Sequence, residues 1–239
     1  MVQYKPIQEK DVFLSVVMPV YNEMNTLPEI IRKVQEVPIR KEIIIVDDHS
    51  TDGSREFLQN INAENIKVFF HDKNRGKGAA LNTGFAHCSG NLIVVQDADL
   101  EYNPEEYQKL IDPVIHLGAD VVYGSRFTGE GPHRVHYFWH YVGNKFLTLL
   151  SNMFSNLNLT DMETCYKLFR AETLRKIRIE SSGFGIEPEI TLKIARLKCR
   201  VFEVGISYAG RSYQEGKKIT WRDGVVAIWT ILKYGLLKR

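Results

Sequence analysis

From Val12 onward the chain alternates short runs of valine and isoleucine with stretches of helical period, and this alternation limits the fold more than any other feature. The runs are FLSVVMPV, KEIIIVDD, IKVFFHD, NLIVVQDADL and ADVVYGSRF, and between them stand NTLPEIIRKVQEV, TDGSREFLQNI, GKGAALNTGFAHC and PEEYQKLIDPVIHLG. Continuously apolar strands, each followed by a helix, predict βαβ units: an α/β fold with a mostly parallel central sheet and helices on both faces. In such sheets ligands bind beyond the carboxyl ends of the strands. Those ends read PVYNE, VDDHS, HDKNRGKG, QDADLE and YGSRF. They hold nearly all the conspicuous polar residues of this half.

Beyond Phe127 the regularity weakens. TGEGPHRVHYFWH reads as a loop running into a helix, HYVGNKFLTLLSNMF; then come a loop (LNLTDMETC), a strand (YKLFR), a helix (PEITLKIARLK) and a strand (RVFEVGISY). The closing ITWRDGVVAIWTILKYGLLKR is strongly apolar, but its longest uncharged run, Gly224 to Leu232, is nine residues. About 20 are needed to span a bilayer, so no crossing is expected. Within it Trp221, Val225, Ile228, Trp229, Leu232 and Leu236 recur at three- and four-residue steps, with Lys233, Lys238 and Arg239 near the end. That pattern fits a helix lying on a membrane surface, and equally one packed on the protein's own core or on a partner subunit.

Composition narrows the class. With 239 residues, 44% apolar and 25% charged, the chain can bury a sizeable core, and a disordered chain is excluded. Cys88, Cys165 and Cys199 are far apart and form no CxxC pair, which argues against a disulfide framework and a zinc finger. The opening MVQYKPIQEKD has no basic start followed by an apolar stretch, so a cytoplasmic location is expected. Net charge is +2, yet residues 160–239 hold 16 Lys and Arg against 9 Asp and Glu, while residues 1–159 hold 15 against 20. This polarity suits an anionic partner such as phosphates or a lipid surface, or charges scattered over solvated helices. No nucleic-acid partner is expected.

Asp97, Asp99 and Glu101 alternate at the end of IVVQDADLEYNP, so all three are expected on one side of a strand. Such carboxylates repel unless a cation sits among them. Hard oxygen donors suit Mg²⁺ or Mn²⁺, which keep positions open for substrate phosphates, so a diphosphate is the expected guest. Helix capping and pairing with basic neighbours are the structural alternatives. Asp47 and Asp48 end another strand, placed to accept from a base N–H or a ribose hydroxyl, or to cap the next turn and helix. NRGKGAALNTG fails the P-loop spacing, and fails GxGxxG because Leu81 stands at the third glycine. A dinucleotide-dependent oxidoreductase remains only as a minor alternative, since Asp97 and Asp99 fall about 20 residues further on. Lys77 in that stretch puts a positive charge at a strand end, to pair with Asp48 or reach a phosphate.

Taken together and in order, VVMPVYNE, IIIVDDHSTDGS, NRGKGAALNTGF, QDADLEYNPE, ADVVYGSRF and TDMETCYKLFR resemble the inverting family 2 glycosyltransferases of the GT-A fold. Within them the chain is most similar to the dolichyl-phosphate and polyprenyl-phosphate mannosyl and glucosyl synthases, over about residues 12–220. The resemblance implies a Rossmann-like GT-A catalytic domain over residues 1–218, with a nucleotide-sugar half at about 12–127, an acceptor half at about 128–218, and a C-terminal helix at 219–239. Pro19, Tyr21 and Glu23 match the segment that wraps the nucleotide, and Asp47 and Asp48 the acidic pair near base and ribose, with Lys77 beside them. Asp97 and Asp99 match the DxD motif, whose second carboxylate ligates the metal. Glu101 stands where mannosyl-phosphate synthases often carry Gln, and keeps an oxygen ligand there. Arg126 matches a residue that holds the acceptor phosphate, and Arg134, Arg211 and Lys218 resemble the basic residues around it. Asp161 falls where the family often reads Asp-Pro-Thr-Ser-Gly-Phe, with Met162 and Cys165 departing from that pattern; it is the candidate to position the acceptor or to activate a hydroxyl acceptor, with an N-cap role for the loop as the structural alternative.

The activity so implied is Mg²⁺- or Mn²⁺-dependent transfer of a hexose, with inversion, from a GDP-mannose or UDP-glucose type of donor to a polyprenyl or dolichyl phosphate; any membrane attachment would be peripheral, on the cytoplasmic face. Transfer to a saccharide hydroxyl of a cell-surface polymer is the alternative in chemistry. A nucleotide-sugar-binding subunit without turnover is the alternative in class, and intact Asp97, Asp99 and Arg126 speak against it.

Overall fold

A computed structural model of the chain describes residues 6–129, 134–135, 137–211 and 221–237. Seven strands form one sheet in the order β3-β2-β1-β4-β6-β5-β7. They are β1 (Leu14–Val20), β2 (Lys41–Asp47), β3 (Ile66–Phe70), β4 (Leu92–Val95), β5 (Val121–Ser125), β6 (Lys167–Arg170) and β7 (Val201–Gly205). Neighbouring pairs are parallel except those of β6, which runs against both β4 and β5. The mostly parallel α/β sheet expected from the Val/Ile runs is therefore present, with one strand reversed.

Eight helices accompany it: α1 (Leu27–Glu36), α2 (Ser54–Gln59), α3 (Lys77–Ala86), α4 (Tyr107–His116), α5 (Phe138–Ser155), α6 (Ala171–Leu174), α7 (Ile186–Arg196) and α8 (Trp221–Leu232) among the described residues. Pro28 starts α1, where a missing N–H costs nothing, and Leu27, Ile30, Ile31 and Val34 form its buried face at helical spacing. The sheet interior is fully buried on both sides, as at Val16, Ile43, Ile44, Val94, Val122, Leu168 and Phe169. Each such side chain stabilises the fold by roughly 1.5–3 kcal/mol relative to exposure. Edge strands β3 and β7 are only partly buried.

The C-terminal helix belongs to the same core. α8 packs on α5 and α7, and Ile231 and the following Tyr234 join the central hydrophobic cluster. Its packed face is Ala227, Thr230 and Ile231, whereas Trp221, Val225 and Trp229 are exposed, as is Leu236 beyond it. The stripe read from the sequence is thus chiefly the outward face. A sequence apolar nearly all round does not declare which side meets the core. α5 adds exposed Phe138, Trp139, Phe146, Leu149 and Met153, so the two adjoining helices show solvent a broad apolar surface. Among the described residues no helix is long and apolar enough to cross a membrane.

Candidate active site

Chain direction reverses across the sheet between β1 and β4: successive strands extend to β3 on one side, then the chain returns to place β4 on the other side of β1. The crevice outside the carboxyl ends of β1 and β4 is the switch point where ligands bind in such sheets. Three non-glycine residues there take left-handed backbone: Asn22 (φ 52°), His49 (φ 67°) and Leu100 (φ 62°). Each such residue costs on the order of 1–3 kcal/mol and persists because its surroundings fix it. Asn22 donates its N–H to Ser50 Oγ (3.0 Å) and its Oδ1 accepts from Thr51 N (2.7 Å), which ties the β1 turn to the β2 turn. Thr26 Oγ1 donates to the Ala98 carbonyl (2.7 Å) and ties the β1 turn to that after β4.

The acidic residues reach the crevice differently from the alternation expected of them. β4 stops at Val95, and residues 97–101 form a turn around Leu100 rather than one side of a strand. Asp97 pairs with Lys77 (2.9 Å), which lies 3.8 Å from Glu187. Burial works against the Lys77 charge, but Asp97 and Glu187 hold its pKa well above the usual lysine value. Lys77 therefore faces Asp97; Asp48, the partner in one of the two roles that the sequence leaves open for Lys77, the other being to reach a phosphate, instead accepts the backbone N–H groups of Arg75 (2.9 Å) and Gly76 (2.7 Å) and bonds His71 Nδ1 (2.7 Å). Asp48 so shapes the loop that walls the crevice. Asp47 is fully buried, accepts from Ser50 N (3.2 Å) and pairs with Arg55 (3.1 Å). The glycines of NRGKG serve close packing: a Cβ on Gly76 or Gly78 would stand 2.5 or 2.3 Å from the carbonyls of Ser182 and Ser181.

The cation among the remaining carboxylates is Arg211. Its guanidinium bonds both oxygens of Glu23 (2.9 and 3.0 Å) and Asp99 Oδ2 (3.2 Å), and lies 3.6 Å from Glu101. Glu101 also accepts from Tyr208 Oη and from Arg211 N, both at 2.7 Å, and so anchors the segment that leaves β7. Burial, with Asp97 and Glu101 close by, pushes Asp99 up to about 7 against the pull of Arg211. In this arrangement no group of three or more His, Cys, Asp or Glu side chains among the described residues closes into a metal cage. The donor set nevertheless fits a hard divalent ion of the kind held by one or two carboxylates and completed by substrate phosphates.

The opposite wall is built at the end of β5. Arg126, just after β5, makes a two-pronged pair with Asp161 through Nε and Nη2, both at 2.7 Å, and its guanidinium stacks 5.1 Å from the Tyr208 ring. Asp161 is fully buried and also accepts Arg126 N (3.0 Å). Between the walls lies a cavity of about 830 Å³ lined by Pro19, Tyr21, Glu23, Asp48, Lys77, Asp97, Asp99, Glu101, Arg126 and Arg211, while Trp139 of α5 and Trp221 of α8 also border it. Ten of the fourteen residues singled out in the sequence thus converge; Asp47 and Asp161 stand behind the lining, Arg134 is exposed, and Lys218 lies outside the described residues.

Four further residues belong to the site. Tyr208 and Glu187 line the cavity and carry no motif, while Glu163, also in the lining, and Lys167, whose Nζ pairs with Glu187 inside the protein, lie within TDMETCYKLFR without standing out there. The histidine in HDKNRGKG was a readable signal at a strand end, and His71 indeed braces Asp48.

Among solved structures, the glucosyl-3-phosphoglycerate synthase of Mycobacterium tuberculosis in complex with Mn²⁺, UDP and phosphoglyceric acid superimposes with a TM-score of 0.74 at 19% identity, covering 98% of this chain and 84% of that one. The fold is thus that of GT-A glycosyltransferases. Residues 15–178 match Glycosyl transferase family 2, and the chain belongs to that family. It is 30% identical over 237 residues to an undecaprenyl-phosphate mannosyltransferase of Micrococcus luteus, covering 93% of this chain and 94% of that protein. It is 29% identical over 229 residues to the polyprenol monophosphomannose synthase of Mycolicibacterium smegmatis, at 90% and 86% coverage. A dolichol-phosphate mannosyltransferase of Pyrococcus furiosus is 30% identical over 213 residues, which are 86% of this chain and 60% of that one.

Proposed function

We propose that this glycosyltransferase moves a hexose from a nucleoside-diphosphate donor to a polyprenyl phosphate, with inversion. One observation carries the reading: a single cavity has the acidic turn of Asp97 and Asp99 on one wall and the Arg126 guanidinium on the other. Pro19, Tyr21, Glu23 and Asp48 border the nucleotide end, and Asp99 with Asp97 would hold Mg²⁺ or Mn²⁺. Bound there, the ion neutralises charge developing on the departing diphosphate. Lys77 adds a fixed positive charge on the same side. Glu101 accepts one hydrogen bond on each oxygen, from Tyr208 and Arg211 N, and keeps lone pairs with which it could complete the ion's shell.

The acceptor chemistry follows from Asp161. Both of its oxygens are bound to Arg126, so it orients that guanidinium and is poorly placed to take a proton from a hydroxyl. A phosphate monoester, with a second pKa of roughly 6, is ionised at neutral pH and needs orientation rather than a base. Arg126 supplies planar donors for it, with Arg134, Arg211 and Lys218 as further cations. Attack from the face opposite the diphosphate inverts the anomeric carbon. The cavity borders Trp139 (78% exposed) and Trp221 (77%), which also belong to the apolar surface of α5 and α8. That surface would rest on a membrane's cytoplasmic face, with the lipid tail leaving the cavity beside the two tryptophans.

The test offers GDP-mannose and UDP-glucose, with Mn²⁺, to a short polyprenyl phosphate and to a saccharide acceptor. A sugar-phosphate-lipid product, weakened but not abolished in Asp161→Asn, is the expected result. Transfer to the saccharide alone, abolished by the same substitution, would overturn the proposal.

A further inference from the structure

Glu163 lies in the segment between α5 and β6, two residues beyond Asp161. The half-buried residue borders the cavity, and its Oε1 is shut off from solvent without a hydrogen-bond partner among the described residues. Burial, with Glu187 beside it, pushes the group up to about 7, against the pull of Lys167 and Arg126. Buried carboxylate oxygens are nearly always bonded, and a cavity-bordering carboxyl with an orphan oxygen can take a donor supplied by the ligand through a turn of the carboxyl group.

The charges around it identify the donor. On one side stand Lys77 and Asp97, with Glu187 3.8 Å from Lys77; on the other stands Arg126, held by Asp161. Glu187 is matched by Lys167 and Lys77, and Arg126 by Asp161, whereas Glu163, within electrostatic reach of both Glu187 and Arg126, has no ion-pair partner of its own among the described residues. A carboxyl so placed disfavours a phosphate beside it and suits a neutral group rich in O–H donors. In the transferase reading, on which this inference rests, the group between two phosphates is the sugar in transit. We propose that Glu163 accepts a hydrogen bond from a hydroxyl of the donor's hexose, and that this contact helps decide which hexose is transferred. It is a specificity residue. No proton transfer or covalent step is assigned to it.

The experiment measures binding without any acceptor, so that its outcome is separate from the identity of the acceptor. Wild type, Glu163→Gln and Glu163→Ala, each with Mn²⁺, are titrated with GDP, UDP, GDP-mannose, UDP-glucose and monodeoxy versions of the two donors. Loss of one hydrogen bond to a charged group corresponds to about a 10- to 100-fold change in affinity. Wild type should lose that much at one deoxy position, and Glu163→Ala should lose it with the parent donor and show no further loss at that position, a non-additive cycle. Affinity for the bare diphosphate should not change. Parallel loss of GDP or UDP binding in both variants would make Glu163 structural. A wild type that binds sugar donors no tighter than bare diphosphates, or additive losses in the cycle, would also overturn the inference, and none of these results bears on transfer to polyprenyl phosphate.

Discussion

Glu42 and Asp99 are carboxylates set in the same sheet, one near the amino end of β2 and the other beyond the carboxyl end of β4, and their environments drive them in opposite directions. Burial raises both. Glu42, 5% exposed, receives Ser15 Oγ (2.6 Å), Ser89 N (2.6 Å), Ser89 Oγ (2.8 Å) and Lys67 (2.9 Å), and these bonds bring it down to about 2. Asp99 has two carboxylate neighbours and stays at about 7 although Arg211 is near. One carboxylate is satisfied by its own chain. The other stands among like charges that its own chain offsets only in part, so their surroundings separate the two acids more sharply than burial does.

Asp99→Asn should give the largest effect: transfer falls by on the order of 10³-fold, while the melting temperature of the metal-free protein holds or rises because like charges are relieved. Release of nucleoside diphosphate and a thermal melt check the two halves; a lower melting temperature would erase the contrast with Glu42. Glu42→Gln should do the reverse, losing about 1.5–3 kcal/mol in denaturant unfolding with turnover per folded molecule unchanged. Arg211→Gln, by removing the resident cation from Asp99, should tighten Mn²⁺ binding to the donor-free protein roughly tenfold, about 1.4 kcal/mol, as read by titration of free Mn²⁺. The smallest effect is in pH. Because Glu42 is lower in the folded than in the unfolded chain, its stabilisation is complete above about 4.5 and is lost as pH falls towards 2. Acid unfolding of Glu42→Gln should be correspondingly flatter across that window.

Much of the fold was legible because its signal is repeated: each buried Val/Ile run became a strand. The direction of β6 was not, since YKLFR has the same period whichever way it runs. Among site residues, motifs exposed Asp97, Asp99 and Arg126. They did not show that Arg211 reaches Glu23 across 188 positions, nor that Lys77 turns to Asp97, because such pairs exist only once the chain has folded. Glu163 was illegible for a different reason: its distinction is a missing partner. For α8 the apolar stripe was visible and its facing was not, since Ala227 and Thr230 are less hydrophobic than the exposed Trp221 and Trp229.

The reversed strand works as a ruler. β6 is inserted between β4 and β5, and neighbouring strands lie about 4.8 Å apart. The turn bearing Asp97 and the strand end bearing Arg126 are therefore set roughly 10 Å apart, two strand spacings. A gap of that width accommodates one pyranose ring with an anionic group at either end. Without β6 the two strand ends would be direct neighbours, about 4.8 Å apart, so the sheet's own pitch sets how far apart the backbone holds the two charged walls.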